Sequence, residues 1–153
     1  ENRRVPRFEV TLVVRRATAL PPTTHLDTPG ILRFSVGMLL SAVMLMASGL
    51  VVSAVAELTA RGVLGPNGGA GIRIASVMRS KTAWTVGHRA ARAWLHTGAA
   101  ALFGSGVLSA VASTRIVEVA LPIGMALALG FLIVSGVVAS RAARRSDAAS
   151  DDR

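Results

Sequence analysis

Residues 34–56 read FSVGMLLSAVMLMASGLVVSAVA, a run of 23 residues without a single Asp, Glu, Lys or Arg. At about 1.5 Å per residue such a helix measures about 35 Å, enough to cross a hydrocarbon core of roughly 30 Å. Two further runs, 93–114 and 119–140, each hold 22 residues with no formal charge. Backbone crossing lipid must satisfy its hydrogen bonds within itself, so each run reads as a transmembrane helix. The chain is therefore expected to be an all-α membrane protein. The composition agrees, with 52% hydrophobic and 16% charged residues, against roughly 25% charged in soluble domains.

Working outward, residues 1–33 read as an irregular tail, 34–140 as a three-helix membrane domain and 141–153 as a charged C-terminal tail. The tail contains FEVTLVV at 8–14, a candidate short strand, and the Pro- and Thr-rich ALPPTTHLDTPG at 19–30. The sequence starts at Glu1 rather than Met, which reads as a processed or truncated start. The first span is expected to serve as an uncleaved signal anchor. With no cysteine in the chain, disulfides and thiol chemistry are ruled out.

The first span ends at Glu57, placed four residues before Arg61 in the favourable order for a helical ion pair. GVLGPNGGAGIR at 62–73 then breaks the helix, through Pro66 and through Gly65, Gly68, Gly69 and Gly71. RIVE alone separates the second and third spans, which predicts a tight antiparallel hairpin. Small residues recur at Ala101, Ser105, Ser109 and Ser113, and at Gly124 with Ala128 and Ala126 with Gly130. Such ridges permit close helix approach in lipid. Pro122 is expected in the first turn of the third span, where a missing N–H costs little.

The net charge of +9 comes from basic residues that flank the apolar runs with almost no aromatic partners. That pattern suits anionic lipid headgroups and argues against nucleic acid. Arg61, Arg73, Arg79, Lys81, Arg89 and Arg92 lie between the first two spans, and Arg141, Arg144 and Arg145 follow the third. The bias toward that side predicts a cytoplasmic loop and C-terminus, with the N-terminus and Arg115 outside.

The polar chemistry concentrates in GAGIRIASVMRSKTAWTVGHRAARAW at 69–94. Ser80 is a good cap for a helix opening at Lys81. At about 100° per residue, Trp84, Gly87, Ala91, Trp94 and Leu95 share one face, and Lys81, Thr82, Thr85, Arg89, Arg92 and His96 share the other. An interfacial amphipathic helix before the second span is expected, with both tryptophans at headgroup depth. This stretch reads either as a membrane-surface anchor or as a binding site. For the second reading, NGGAGIR can form an anion nest beside Arg73, aided by the positive end of the helix starting near Ser80.

The order Gly71-Ile72-Arg73, Met78-Arg79-Ser80, Ala83-Trp84 and Gly87-His88-Arg89-Ala90-Ala91, followed by two spans, resembles the SdpI family of bacterial membrane proteins. The resemblance covers roughly residues 37–140. It departs at Ile74-Ala75, where family members often have Thr and Pro, and at Lys81, where an acidic residue is expected. The resemblance implies a multi-pass protein of the bacterial cytoplasmic membrane. It also implies immunity to, or sensing of, a secreted membrane-active peptide, the founding type being an immunity protein that signals with a repressor. It makes Gly71, Arg73, Ser80, Trp84, His88 and Arg89 the candidate ligand- or partner-binding residues. Membrane lipids, a peptide toxin or a partner membrane protein, and a second copy of the chain are the candidate partners.

An enzyme is not expected. Ser80 and His88 are separated by about 12 Å along a continuous helix, too far for a nucleophile and its base, and no cofactor motif is present. The same spacing argument, with no clustered carboxylates nearby, removes a metal site at His88 and His96. None of the three spans holds an ionisable carboxylate, lysine or arginine of the kind a coupled transporter uses. An interaction protein is the favoured class, with a small subunit of a membrane complex or transporter as the alternative.

Overall fold

Among the described residues four helices follow one another: α1 (Thr28–Ala60), α2 (Ala75–Met78), α3 (Lys81–Val111) and α4 (Thr114–Asp151). The computed structural model describes the backbone of residues 28–151 and the side-chain surroundings of residues 36–149. The expectations for residues 1–27, including the strand at 8–14, lie outside the described residues. The chain divides into two units, Glu1–Arg33 and Phe34–Arg153, and the description that follows is of the second.

Among the described residues three helices are long and apolar enough to cross a membrane, over Val36–Ala60, Lys81–Val111 and Thr114–Ala149. Leu40, Val43, Leu129 and Ile133 are each more than half exposed on the protein surface, as side chains facing lipid would be. The helices meet through small residues instead, with Ala42, Ala56, Ala60, Ala91, Ala99, Ala128, Ala139 and Ala143 all buried. This is the packing expected where lipid removes the hydrophobic drive between helices and close contact must supply the attraction.

The hairpin of α3 and α4 turns on Ala112 and Ser113 alone, as the sequence predicts for closely spaced spans. RIVE is helical rather than a loop, its first turn held by the Ile116 and Val117 N–H groups donating to the Ser113 carbonyl at 3.0 and 3.1 Å. Pro122 therefore sits inside α4, a correction to its expected place in a first turn. An early helix start, not a late proline, accounts for the difference. The antiparallel register is plain from the glycines: a Cβ on Gly87 would meet the Ala139 carbonyl oxygen at 3.1 Å, one on Gly98 would meet Phe131 at 3.3 Å, and one on Gly124 would collide with the Ser105 hydroxyl. Of the predicted ridges, Ser105, Ser109 and Ala128 are buried in this contact, whereas Ala126 and Gly130 face outward.

Helix α1 crosses the other side of α3. Cβ atoms on Gly49 and Gly106 would lie 2.6 Å from the Ala99 carbonyl and 2.7 Å from the Ala42 carbonyl respectively. The helices thus touch backbone to backbone. At the loop end of this contact Glu57 pairs with Arg61 Nε at 2.5 Å, as predicted, and also with Arg92 Nε at 2.8 Å and His96 Nε2 at 3.4 Å. His96 Nδ1 lies 2.9 Å from the Ser53 hydroxyl. Arg61 and His96 therefore share one carboxylate with Arg92.

The segment expected as a separate interfacial helix is the first part of α3, which runs unbroken for 31 residues. Most of its apolar face is covered by protein, Trp94 being the exception at 40% exposure. Ala83, Trp84, Ala91 and Leu95 are buried against α1, α2 and α4 in one core with Ala56, Val77, Ala139 and Ala143. An apolar stripe is satisfied equally by headgroup interface or by protein, and here the loop and neighbouring helices cover it. The residues expected as a charged tail continue α4 to Asp151.

Candidate functional site

The loop between α1 and α3 folds down onto the start of α3 and is fixed there by a clasp of three residues. Gly62, with φ +73°, closes the end of α1 in the left-handed region. The chain then passes Leu64, whose carbonyl oxygen accepts from the Trp84 indole N–H at 2.7 Å. Farther on, the Ile72 N–H donates to His88 Nε2 at 2.8 Å. Because Nε2 accepts, the proton of the neutral imidazole sits on Nδ1, which donates to the Trp84 carbonyl at 2.9 Å. Trp84 and His88 are fully buried, with ring centroids 4.2 Å apart.

Gly71 lies over both rings with φ +97°. A Cβ there would be 2.8 Å from His88 Nε2 and 2.9 Å from Trp84 Cη2, so this position excludes a side chain twice over, by conformation and by space. The Gly-Ile pair is thus a lid on the Trp-His pair, and α3 supplies that pair one turn apart at positions 84 and 88. Short helix α2 completes the cover. Val77 is fully buried and its methyls lie 3.4 Å from a Cβ placed on Gly87. Ser76 hydrogen-bonds Ser140 at 2.9 Å, and Arg79 pairs with Asp147 at 2.9 Å, tying the loop to α4.

The six candidate residues thus fall into two groups. Gly71, Trp84 and His88 are brought together as the clasp. Ser80 is the N-cap of α3, its hydroxyl accepting from the Ala83 N–H at 3.0 Å. Arg73 and Arg89 are exposed, and neither takes part in the clasp. The expected anion nest is closed: Asn67 Oδ1 already accepts from the Gly69 and Ala70 N–H groups, both at 2.8 Å, and the Ile72 N–H belongs to His88. An Asx turn has taken the donors that an anion would need.

At the departures from the family pattern, Ile74 is the N-cap of α2 without a side-chain hydrogen bond and Ala75 is its first residue. Those are the positions where Thr caps and Pro opens a helix. Ile74 instead places its Cδ1 3.4 Å from a Cβ built on Gly136 of α4. Sequence reading missed Leu64 and Val77 and had Ile72 only as a motif residue, and Leu64 and Ile72 act through backbone atoms that carry no signal in a sequence.

Alongside the clasp, a cleft of about 950 Å³ opens between α1 and α4. Its walls include Val51 and Val55 of α1 and Ile133 and Val137 of α4, and Gly71, Ile72 and His88 also line it. Arg141 and Arg144 stand at one end.

Burial of Trp84 has a measurable consequence. A quencher carried on lipid acyl chains should reach Trp94, which is 40% exposed and near Phe131 at 6.0 Å between ring centroids, while sparing Trp84 at every depth. Single-tryptophan variants Trp84→Phe and Trp94→Phe in vesicles separate the two emissions. Equal quenching of both would contradict the closed clasp.

The family model for the SdpI/YfhL protein family matches residues 63–139, from the start of the loop through the clasp, the hairpin and most of α4. Searches of curated proteins and of solved structures returned no match. The matched half contains every clasp residue and the whole of α3, which carries Trp84 and His88, and the chain belongs to the SdpI/YfhL protein family.

Proposed function

We propose that this protein is an integral interaction protein of the bacterial cytoplasmic membrane that protects against, or senses, a membrane-active peptide. Family membership over the loop and hairpin is the observation that carries the reading. The clasp holds the loop rigid, and the loop and the first turns of α3 present Arg73 and Arg89 to a membrane-inserted peptide or a partner helix. The loop and C-terminus face the cytoplasm in this reading, following the excess of basic residues on that side. It includes no enzymatic step: both His88 nitrogens are engaged within the fold, and the Ser80 hydroxyl serves as a helix cap.

Expression in peptide-sensitive bacteria, challenged with a panel of membrane-active peptides, tests the reading. The wild type should raise tolerance to at least one peptide. Arg73→Ala and Arg89→Ala should each lower that protection at unchanged membrane abundance, because both side chains are exposed and their loss leaves the clasp intact. His88→Ala should also abolish protection, but by loosening the loop. No protection by the wild type against any peptide, at confirmed membrane expression, would remove the immunity reading and leave the role of a membrane-complex subunit.

A further inference from the structure

The cleft between α1 and α4 combines two features that seldom meet by chance. Along α4 the residues Ile133, Val137, Arg141 and Arg144 follow one another at steps of three or four and form a single stripe on one helix face. The stripe is apolar for its first half and cationic at its end. Opposite it, Val51 and Val55 continue the apolar wall on α1. From position 133 to position 144 the stripe rises about 17 Å, comparable to one leaflet of a hydrocarbon core roughly 30 Å thick.

The polar side chains of Thr59, Ser135 and Ser140 along the walls are already satisfied. Thr59 donates to the Val55 carbonyl at 2.7 Å, Ser135 to the Leu132 carbonyl at 2.7 Å, and Ser140 bonds Ser76. Among the described residues no buried side-chain polar atom lacks a partner. A polar solute would find no unpartnered buried side chain among the described residues, whereas an alkyl chain would lose little along walls of Val and Ile. The two arginines differ from this. The ion pairs among the described residues engage Arg61, Arg79 and Arg92, and neither Arg141 nor Arg144 has a carboxylate partner among them.

The geometry points to a binding site for one anionic phospholipid, its acyl chain along Val51, Val55, Ile133 and Val137 and its phosphate between Arg141 and Arg144. Guanidinium groups recognise phosphate through paired N–H donors, and the apolar half fixes the chain at the depth of its own leaflet. A zwitterionic lipid fills the same apolar half but carries its own cation against the arginines. The site therefore selects by headgroup charge.

The full chain, delipidated in detergent, is titrated with phosphatidylglycerol and with phosphatidylcholine of identical acyl chains, and the adducts are counted by native mass spectrometry. One phosphatidylglycerol per chain is expected, with a preference of roughly thirtyfold from the attraction of two basic side chains. Arg141→Gln with Arg144→Gln should abolish the preference, whereas Arg141→Lys with Arg144→Lys should keep most of it, with unchanged circular dichroism in both. Val137→Trp, which fills the apolar half, should weaken both lipids alike. Equal affinity for the two lipids overturns the proposal, as does a preference that survives in the double glutamine variant. So does inorganic phosphate binding as tightly as the lipid, since the arginines would then serve a free anion. A lipid-free dimer cross-linked through Val137→Cys, or a membrane-active peptide that Val137→Trp excludes while phosphatidylglycerol fails to bind, would assign the cleft to a second copy or to a peptide instead.

Discussion

Replacing Gly71 with alanine is expected to unseat the loop from α3. An L-residue pays about 1–2 kcal/mol for the left-handed backbone, and φ at this position is +97°. The new methyl would also overlap the rings of Trp84 and His88, both fully buried and unable to retreat. Overpacking of this kind costs about 1–3 kcal/mol, so the sum is about 2–5 kcal/mol. Most of the loss falls on the loop, because the hairpin contacts of Gly98 with Phe131 and of Gly124 with Ser105 lie ten or more residues farther along α3 than His88. Trypsin cleavage at the exposed Arg73 and Arg79 should accelerate more than tenfold, and the thermal midpoint in detergent should fall. Gly68→Ala is the control, since a Cβ there meets nothing within 4 Å. If Gly71→Ala and Gly68→Ala digest and melt alike, the clasp does not hold the loop.

Gly49→Ala and Gly106→Ala should each separate α1 from α3. The added Cβ atoms would lie 2.6 and 2.7 Å from carbonyl oxygens of the facing helix, and backbone cannot rotate away as a long side chain can. Each substitution should destabilise by about 1–3 kcal/mol. Their effects should combine to less than the sum, because one outward shift of α1 relieves both overlaps. Gly104→Ala, where a Cβ meets nothing within 4 Å, should instead be neutral or gain up to about 1 kcal/mol from helix propensity. Reversible unfolding of the four variants in mixed micelles gives the comparison. A Gly49→Ala, Gly106→Ala double variant as stable as the wild type would mean that α1 does not approach α3 in the membrane.

The three spans were legible because the physics that makes them is local in sequence: a run without charges, long enough for the bilayer, leaves the backbone few alternatives. Local rules also found the Ser80 cap and the Glu57–Arg61 pair. What escaped depends on register between distant segments. Arg92 and His96 meet Glu57 across 35 and 39 residues, and only the crossing of α1 over α3 decides that they do. The stripe at 84, 87, 91 and 95 was visible, but periodicity cannot say whether protein or lipid covers it, and Trp84 proved to be core. The closed nest was missed because Asn67 was read as the first residue of the nest and not as a competitor for its N–H groups. The candidate site was legible as a cluster of motif residues. Its division into a buried clasp and two exposed arginines was not.

The clasp also bears on how this protein tolerates change. Trp84 and His88 each reach across to the loop, yet the atoms they meet are the Leu64 carbonyl and the Ile72 amide. Every residue other than proline carries the same pair of main-chain groups, so the identity of position 64 or 72 conveys nothing to these bonds. No exchange of side chain at position 64 can compensate for a change at position 84. The two contacts that set the loop in place would therefore leave no trace as paired substitutions, however many related chains were aligned, and a contact map inferred from covariation would be blank where this loop is most firmly held.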